Sequence, residues 1–291
     1  MMTLGLIANL EKQTVEKFVP KLVGWLQKKA VPFYVEERLA EHLDLPGADA
    51  NPAPVSVLAQ TCQMIISFGG DGTILSTARL IGKNEVPILG VKMGGLGFLA
   101  ELAPEELFSS LENILQGQFE LVQRMVLEVQ IKNPSQITKF YALNDVVFDK
   151  GAVSRVVRIK TLIDGEYLNT YIGDGLIVSS PTGSTAYSLA AGGPILLPSM
   201  EAIIINPISP HSLGARPVVI PGDKTVEATV EFAPQKVMLS ADGQIGQALK
   251  AGQGAMIKKA DFHVKLVSLP GRSFYDVLRT KLNWGEDVRD R

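Results

Sequence analysis

Residues 64–73 read Met64-Ile65-Ile66-Ser67-Phe68-Gly69-Gly70-Asp71-Gly72-Thr73. An apolar run of strand length ends in two glycines, and helical spacing takes over from about residue 73 to 82. At the carboxyl end of a parallel strand, glycines let backbone amides approach an anion, and the next helix N-terminus favours negative charge. Asp71 in such a turn would repel a phosphate unless a metal or a proton transfer compensates. A bare Gly-Asp-Gly triplet is more often a turn in which Asp71 or Thr73 caps the helix. The strand-turn-helix setting gives this one more weight.

The surrounding rhythm fixes the fold class. Leu4–Ala8 reads as a short buried strand, and Val15, Phe18, Val19, Leu22 and Leu26 recur at helical spacing over residues 13–30. Val86–Val91 follows as a strand, and Pro104–Leu115 as an amphipathic helix opened by proline with Glu105 and Glu106 in its first turn. Alternation of this kind predicts an α/β domain with a mostly parallel sheet over residues 1–120. From about residue 121 strands dominate: 122–131, 141–148, 155–163, 166–172, 175–179, 202–206, 218–220, 225–232, 236–240, 255–260 and 263–269. Asp164-Gly165 between two of them signals a tight hairpin. Residues 121–270 are therefore expected to form a β-rich, sandwich-like domain with one helix near 184–191. Helical spacing returns through Phe274, Val277, Leu278 and Leu282, so residues 271–291 are expected to pack back on the N-terminal domain. The proline-rich stretch Asp44–Pro54 reads as a surface loop.

The chain has 291 residues, 46% hydrophobic and 20% charged, the composition of a packed protein rather than a disordered one. A net charge of −2 gives no footprint for nucleic-acid binding. One cysteine, Cys62, leaves no disulfide framework and no multi-cysteine metal site. No apolar run approaches the roughly 20 residues needed to cross a bilayer, and the first ten residues read as a strand rather than a leader. The expectation is a cytoplasmic protein without a membrane or nucleic-acid partner.

Three further segments bear on chemistry. Gly95-Leu96-Gly97-Phe98-Leu99-Ala100 fits a dinucleotide fingerprint, but no helix opens within it and no acidic strand end follows at the required distance. A glycine-rich loop lining the nucleotide cleft is the better reading, and a P-loop motif is absent. Asn144-Asp145-Val146-Val147-Phe148 puts two polar side chains just before a strand, alone an ordinary turn signal. The run from Asp174 to Pro194, DGLIVSSPTGSTAYSLAAGGP, is far less ordinary: a strand enters Pro-Thr-Gly-Ser-Thr, whose hydroxyls and free amides open a short helix. Tyr187 there offers an aromatic face with a polar tip, suited to an adenine ring or to a half-buried packing position.

GGDGT resembles the nucleotide site shared by NAD kinases, diacylglycerol and sphingosine kinases, and phosphofructokinases. GGDGT, NDVVF and DGLIVSSPTGSTAYSLAAGGPI, in this order and spacing, resemble the NAD kinases over about residues 4–282. Asn206–Leu213 and the hairpin Asp242-Gly243-Gln244 add to the likeness. The resemblance implies transfer of the γ-phosphate of ATP to the 2′-hydroxyl of the adenosine ribose of NAD, with Asp71 as general base. It implies that Gly69, Gly70 and Thr73 contact the donor's phosphates, and that magnesium arrives on the donor rather than in a protein cage. It assigns NAD to Gly72, Asn144, Asp145, Asp174, Thr185, Ala186, Tyr187, Ser188, Leu189, Ala190, Ser209 and Gln244. Arg155 is the contact often contributed across subunits, which implies a homo-oligomer, a dimer or tetramer. Many relatives carry a basic residue five positions after the GGDGT aspartate, where this chain has Ser76. A lipid kinase on the same donor site, and a dinucleotide sensor without turnover, are the other readings.

Overall fold

The computed structural model describes residues 2–45, 50–95, 97–132, 137–151, 155–271 and 273–284. Among them the chain divides into two units: one takes in the residues up to Gln123 and those from Val264 onward, the other Arg124–His263.

In the first unit the strands Pro52–Ala53, Phe33–Glu36, Leu4–Ala8, Met64–Gly69 and Ile88–Lys92 lie side by side in that order, all parallel. The pairings Leu6↔Ile66 and Ile66↔Leu89 set the register of the central strands. Every residue of Met64–Gly69 is buried, as a parallel strand covered on both faces requires. The helix Gln13–Lys28 buries Val15, Val19, Leu22, Val23 and Leu26 in one core with Leu4, Leu6, Met64, Ile66 and Phe68. The chain returns to this unit along the long strand Gly254–Ser268, where Leu266 pairs with Ile88 in parallel. The helix Phe274–Leu282 follows, with Leu278 buried and Lys281 Nζ 5.7 Å from the centre of the Phe98 ring.

The second unit is antiparallel. One sheet orders the strands Val218–Pro221, Ala202–Ile208, Gly175–Ser179, Asp145–Asp149, Val237–Ala241 and Ile245–Leu249. Opposite it, Glu166–Gly173, Val157–Ile163, Val226–Phe232 and the start of Gly254–Ser268 pair in sequence, and Glu120–Lys132 pairs with Ile137–Ala142. Val146, Phe148, Leu176, Val178, Ile203 and Leu239 from the first sheet share one core with Leu127, Val129, Ile159, Val226 and Ile257 from the second. That interdigitation of alternate residues is the sandwich arrangement. Asp164 and Gly165 turn the hairpin with φ of +50° and +83°, and Asp164 Oδ1 accepts the Thr225 amide.

Several boundaries differ from the sequence reading. The predicted strand 141–148 is two strands, Ile137–Ala142 and Asp145–Asp149, because the Asp242 carboxylate captures the intervening amides. The predicted strands 255–260 and 263–269 are one: the buried positions change parity at Lys258-Lys259 without the pairing chain breaking. Of the loop expected at 44–54, residues 46–49 lie outside the described residues, and Pro52–Ala53 is a strand at the sheet edge. Phe33–Glu36, Val55–Thr61 and Ile245–Leu249 are elements that the sequence reading omitted. Near 184–191 the single helix is two short turns, Thr182–Thr185 and Tyr187–Ala190.

Gly175 marks a close crossing in the second unit. A Cβ there would overlap the Phe148 carbonyl oxygen and stand 3.1 Å from Ile208 Cδ1. Gly175→Ala should therefore cost roughly 1–3 kcal/mol of stability, the usual range for overpacking. In a thermal melt that is a drop of roughly 2–10 °C. An unchanged midpoint would mean that the strands part to admit the methyl without strain.

Candidate functional site

The turn at residues 69–73 is built by steric necessity. Gly69 ends the central strand, and a Cβ on it would stand 2.6 Å from Thr73 Cβ, so only glycine lets the helix start so close to the strand. The helix runs Asp71–Ile81 with Gly70 as its extended N-cap, and no side chain caps it. The expected capping role of Asp71 or Thr73 is thus replaced by another. Asp71 lies in the first turn, and its carboxylate accepts the amides of Phe98, 2.8 Å to Oδ2, and Leu99, 3.0 Å to Oδ1. Ser76 lies one turn on, its hydroxyl donating back to the Gly72 carbonyl at 3.0 Å.

Beside this turn the first unit has a cleft of about 530 Å³. Gly70, Gly72, Thr73 and Ser76 line one side of it, and Asn9, Lys12 and Arg38 line it too. Glu11 and Glu36 line the cleft alongside these two cations, so its suitability for an anion rests on the helix-start amides together with Lys12 and Arg38. The glycine-rich segment 95–100 does not open a helix; Pro104–Glu106 begins the next one, and Leu96 lies outside the described residues. Gly97, Phe98 and Leu99 meet Asp71.

A second constellation lies wholly in the second unit. Asp242, at φ +51°, accepts the amides of Leu143 (2.9 Å), Asn144 (2.7 Å) and Asp145 (3.2 Å), and its own amide donates to the Asp145 carbonyl. This fixes the turn that presents Asn144 and Asp145. The Pro181–Thr185 turn packs on the same place: the Ser180 amide and the Ser179 hydroxyl donate to the Asn144 carbonyl. A Cβ on Gly183 would stand 2.5 Å from the Asn144 carbonyl carbon. A cavity of about 330 Å³ results, lined by Asn144, Asp145, Asp149, Tyr187, Ser240 and Asp242 among others.

Asp145 is 5% exposed, and its carboxyl is pushed up to about 7. Burial is the main cause and the Asp242 charge adds to it, while a hydrogen bond from the Tyr187 amide opposes both. Tyr187 is 42% exposed at the cavity rim. Burial, followed by the charges of Asp149, Asp174 and Asp145, raises its phenol above the ordinary range. Lys150 Nζ sits 2.6 Å from Asp174 Oδ1. A pocket walled by carboxylates accepts hydrogen bonds from hydroxyls and amines and disfavours phosphates.

The structure thus brings Asn144, Asp145, Ala186 and Tyr187 to one cavity. Asp174, Thr185, Leu189, Ala190, Ser209, Gln244 and Arg155 are not among its lining residues; Ala190, Ser209, Gln244 and Arg155 are exposed. Ser188 is fully buried, and its carbonyl and hydroxyl both meet Asn206 Nδ2, at 2.9 and 3.3 Å. Sequence reasoning missed Asp149, Ser240 and Asp242. The Asp242-Gly243 pair was the available signal, since an aspartate in the left-handed region often takes up neighbouring amides. Among the described residues no group of three or more His, Cys, Asp or Glu stands ready to hold a metal ion.

Residues 4–119 match the family described as ATP-NAD kinase N-terminal domain, and residues 143–269 the ATP-NAD kinase C-terminal domain. An NAD kinase of Syntrophotalea carbinolica is 40% identical over 287 residues, 98% of this chain and 100% of that protein. One of Geobacter sulfurreducens is 41% identical over the same length and coverage. The fold is that of yeast NADH kinase solved with NADH, at TM-score 0.90 and 24% identity over 99% of this chain and 89% of that one. An Archaeoglobus fulgidus NAD kinase solved with ATP aligns at TM-score 0.76 and 24% identity, over 97% of this chain and 99% of that one. Matched along nearly its whole length in sequence, this chain belongs to the NAD kinase family and is a kinase.

Proposed function

We propose that the enzyme transfers the γ-phosphoryl group of ATP to the 2′-hydroxyl of the adenosine ribose of NAD, giving NADP. The observation that carries this reading is the Asp71 carboxylate, fixed by two amides in the first turn of a helix whose glycine-rich start lines a cleft suited to phosphates. Phosphoryl transfer asks the protein to orient the nucleophile and stabilise charge rather than to form a covalent intermediate. Two amides occupy part of the acceptor capacity of a carboxylate, which has about four lone-pair sites, so Asp71 retains sites to take the hydroxyl proton.

The donor's phosphates meet Gly69, Gly70 and Thr73, and a divalent cation such as magnesium comes with them, since Mg²⁺ commonly binds through substrate phosphates. Base and ribose of NAD fall to Asn144, Asp145, Ala186 and Tyr187, with Gly72, Asp174, Thr185, Leu189, Ala190, Ser209 and Gln244 in support; Ser188, turned inward onto Asn206, contributes through the packing of its turn. The same proposal includes a cytoplasmic setting and a homo-oligomer of two or four chains with Arg155 reaching a neighbouring subunit. The first rests on the single cysteine and the short apolar runs, the second on the sequence resemblance.

Purified protein with NAD, ATP and magnesium should form NADP, and the lipid-kinase reading falls if diacylglycerol is not phosphorylated under the same conditions. In that assay Asp71→Asn should lower turnover by about 10²–10⁴, the range for loss of a general base, with NAD binding largely kept. An asparagine has one acceptor oxygen for two amides, so a melting point lower by a few degrees should accompany it. A folded Asp71→Asn protein making NADP at near-normal rates would end the general-base assignment.

Asp145 supplies a second test, in which stability and activity move in opposite directions. Its carboxyl holds a proton in the folded chain up to pH about 7 but releases it near 4 when unfolded. The stabilisation this gives is present at low pH and is lost as pH rises towards 7. Asp145→Asn should therefore gain stability relative to wild type between pH 5 and pH 8, by up to a few kcal/mol on the scale of about 1.4 kcal/mol per pKa unit. Efficiency toward NAD should fall roughly tenfold to a hundredfold, as expected for a lost charged acceptor worth about 1.5–3 kcal/mol. Parallel melting curves across that pH range, or efficiency within twofold of wild type, would refute the placement.

A further inference from the structure

The glycine-rich segment after the fifth parallel strand touches the candidate base itself. Consecutive amides of Phe98 and Leu99 donate to separate oxygens of Asp71, at 2.8 and 3.0 Å. Such a fork fixes both the position of the carboxyl group and the plane in which it lies, which a single hydrogen bond does not do. Gly97 makes the approach possible: a Cβ there would overlap Asp71 Oδ1 and stand 2.7 Å from Cγ. The φ of Gly97 is not in the left-handed region, so the requirement for glycine at this position is one of space, set by the carboxylate.

The segment is fastened on both sides. Before it, the Met93 amide donates to the Gly69 carbonyl at 2.9 Å, at the end of the strand that leads into the Asp71 turn. After it, the amides of Glu101 and Leu102 both donate to the Gly90 carbonyl, at 2.9 and 3.1 Å, and the Lys92 amide donates to Leu102. Gly90 has no room for a side chain either, its Cβ position lying 3.0 Å from Ala100 Cα and 3.3 Å from the Leu99 carbonyl oxygen. Glu101 in turn accepts the Leu269 amide at 2.8 Å. The fork is therefore held to the same sheet that carries Asp71, and its position follows from backbone bonds.

We propose that Gly97, Phe98 and Leu99 are positioning residues for the reaction: their backbone holds the Asp71 carboxylate so that its remaining lone pairs face the nucleophile. This rests on Asp71 being the general base. Side-chain orientation matters to catalysis at the level of tenths of an ångström to one ångström, and a misplacement of about 1 Å can cost 10²-fold in rate. A positioning device acts only through the group it positions, so its loss should not add to the loss of that group.

The experiment is a double-mutant cycle in the steady-state assay with ATP and NAD. Gly97→Ala should lower kcat about 10²-fold, with the KM values for NAD and ATP changed less than about threefold. Placed in the Asp71→Asn chain, the same substitution should lower kcat by less than about threefold more. Two outcomes overturn the proposal while Asp71→Asn alone keeps a measurable rate, about 10²–10⁴-fold below wild type: kcat of Gly97→Ala within threefold of wild type, or losses that multiply in the double variant. Full activity of Asp71→Asn alone would instead refute the general-base reading itself. If Gly97→Ala does not fold, replacing Phe98 by its α-hydroxy acid, which exchanges the donor N–H for an ester oxygen and adds no atom against the carboxylate, is judged by the same two criteria.

Discussion

Two aspartates commit their carboxylates to backbone amides of distant segments, and the candidate base of the first unit and the candidate cavity of the second are both organised by it. Asp71 binds the amides of residues 98 and 99, and Asp242 those of 143, 144 and 145. A loop has no ladder to satisfy its amides, so an ionised acceptor stabilises one conformation over the many that solvent would tolerate. The shape of each loop is thereby tied to a residue at the end of a strand or the start of a helix, the most rigid places available. Glu101 with Leu269, and Asp164 with Thr225, repeat the device at sites with no catalytic claim. It is a general solution in this chain that the Asp71 turn and the cavity of the second unit also use.

Glycine is the steric counterpart of these bonds. Gly69 admits Thr73, Gly97 admits Asp71, and Gly183 admits the Asn144 carbonyl. At none of the three is a left-handed backbone the reason. What they share is the removal of a Cβ where two segments approach more closely than an alanine permits. The sequence shows these glycines clearly but cannot say what each one faces, because the partner is 4 residues away in one case and 26 or 39 in the others.

That distinction explains what was legible. The parallel sheet, the β-rich second unit and the turn at residues 69–73 follow from short-range pattern: runs of buried residues, helical spacing, and glycines at a strand end. Asn144, Asp145 and Tyr187 were legible as a group through family resemblance, and the structure brings them to one cavity. Capping by Asp71 or Thr73 was a local inference and failed, because the competing N–H donors to Asp71 lie 27 and 28 residues downstream. The strand at 141–148 was read through its break for the same reason, the carboxylate that breaks it being Asp242. Ser188 reads as a pocket residue from its neighbours in the sequence, yet its short helix turns it inward onto Asn206.

The electrostatics of the two cavities divide the chemistry between them. The cleft of the first unit is lined by helix-start backbone and by Lys12 and Arg38, alongside Glu11 and Glu36. Glu36 accepts the Leu39 amide at 3.0 Å, so part of its acceptor capacity is turned onto its own helix rather than the cleft. The cavity of the second unit contains Asp145, Asp149 and Asp242, with Lys150 paired to the nearby Asp174. A polyphosphate is favoured by the first and repelled by the second, whereas ribose hydroxyls and an exocyclic amine find acceptors in the second. Crowding carboxylates in this way has a cost, visible in the carboxyl of Asp145 held near 7 instead of near 4. An evolving chain would remove that cost by substituting an amide unless the charge does something the amide cannot. A hydroxyl or amine donor supplies the reason: it stabilises the carboxylate when bound, and its binding offsets the desolvation that the empty pocket imposes. On the proposed reading, the raised carboxyl of Asp145 and the pocket's preference for hydrogen-bond donors are then two expressions of the same crowding of carboxylates.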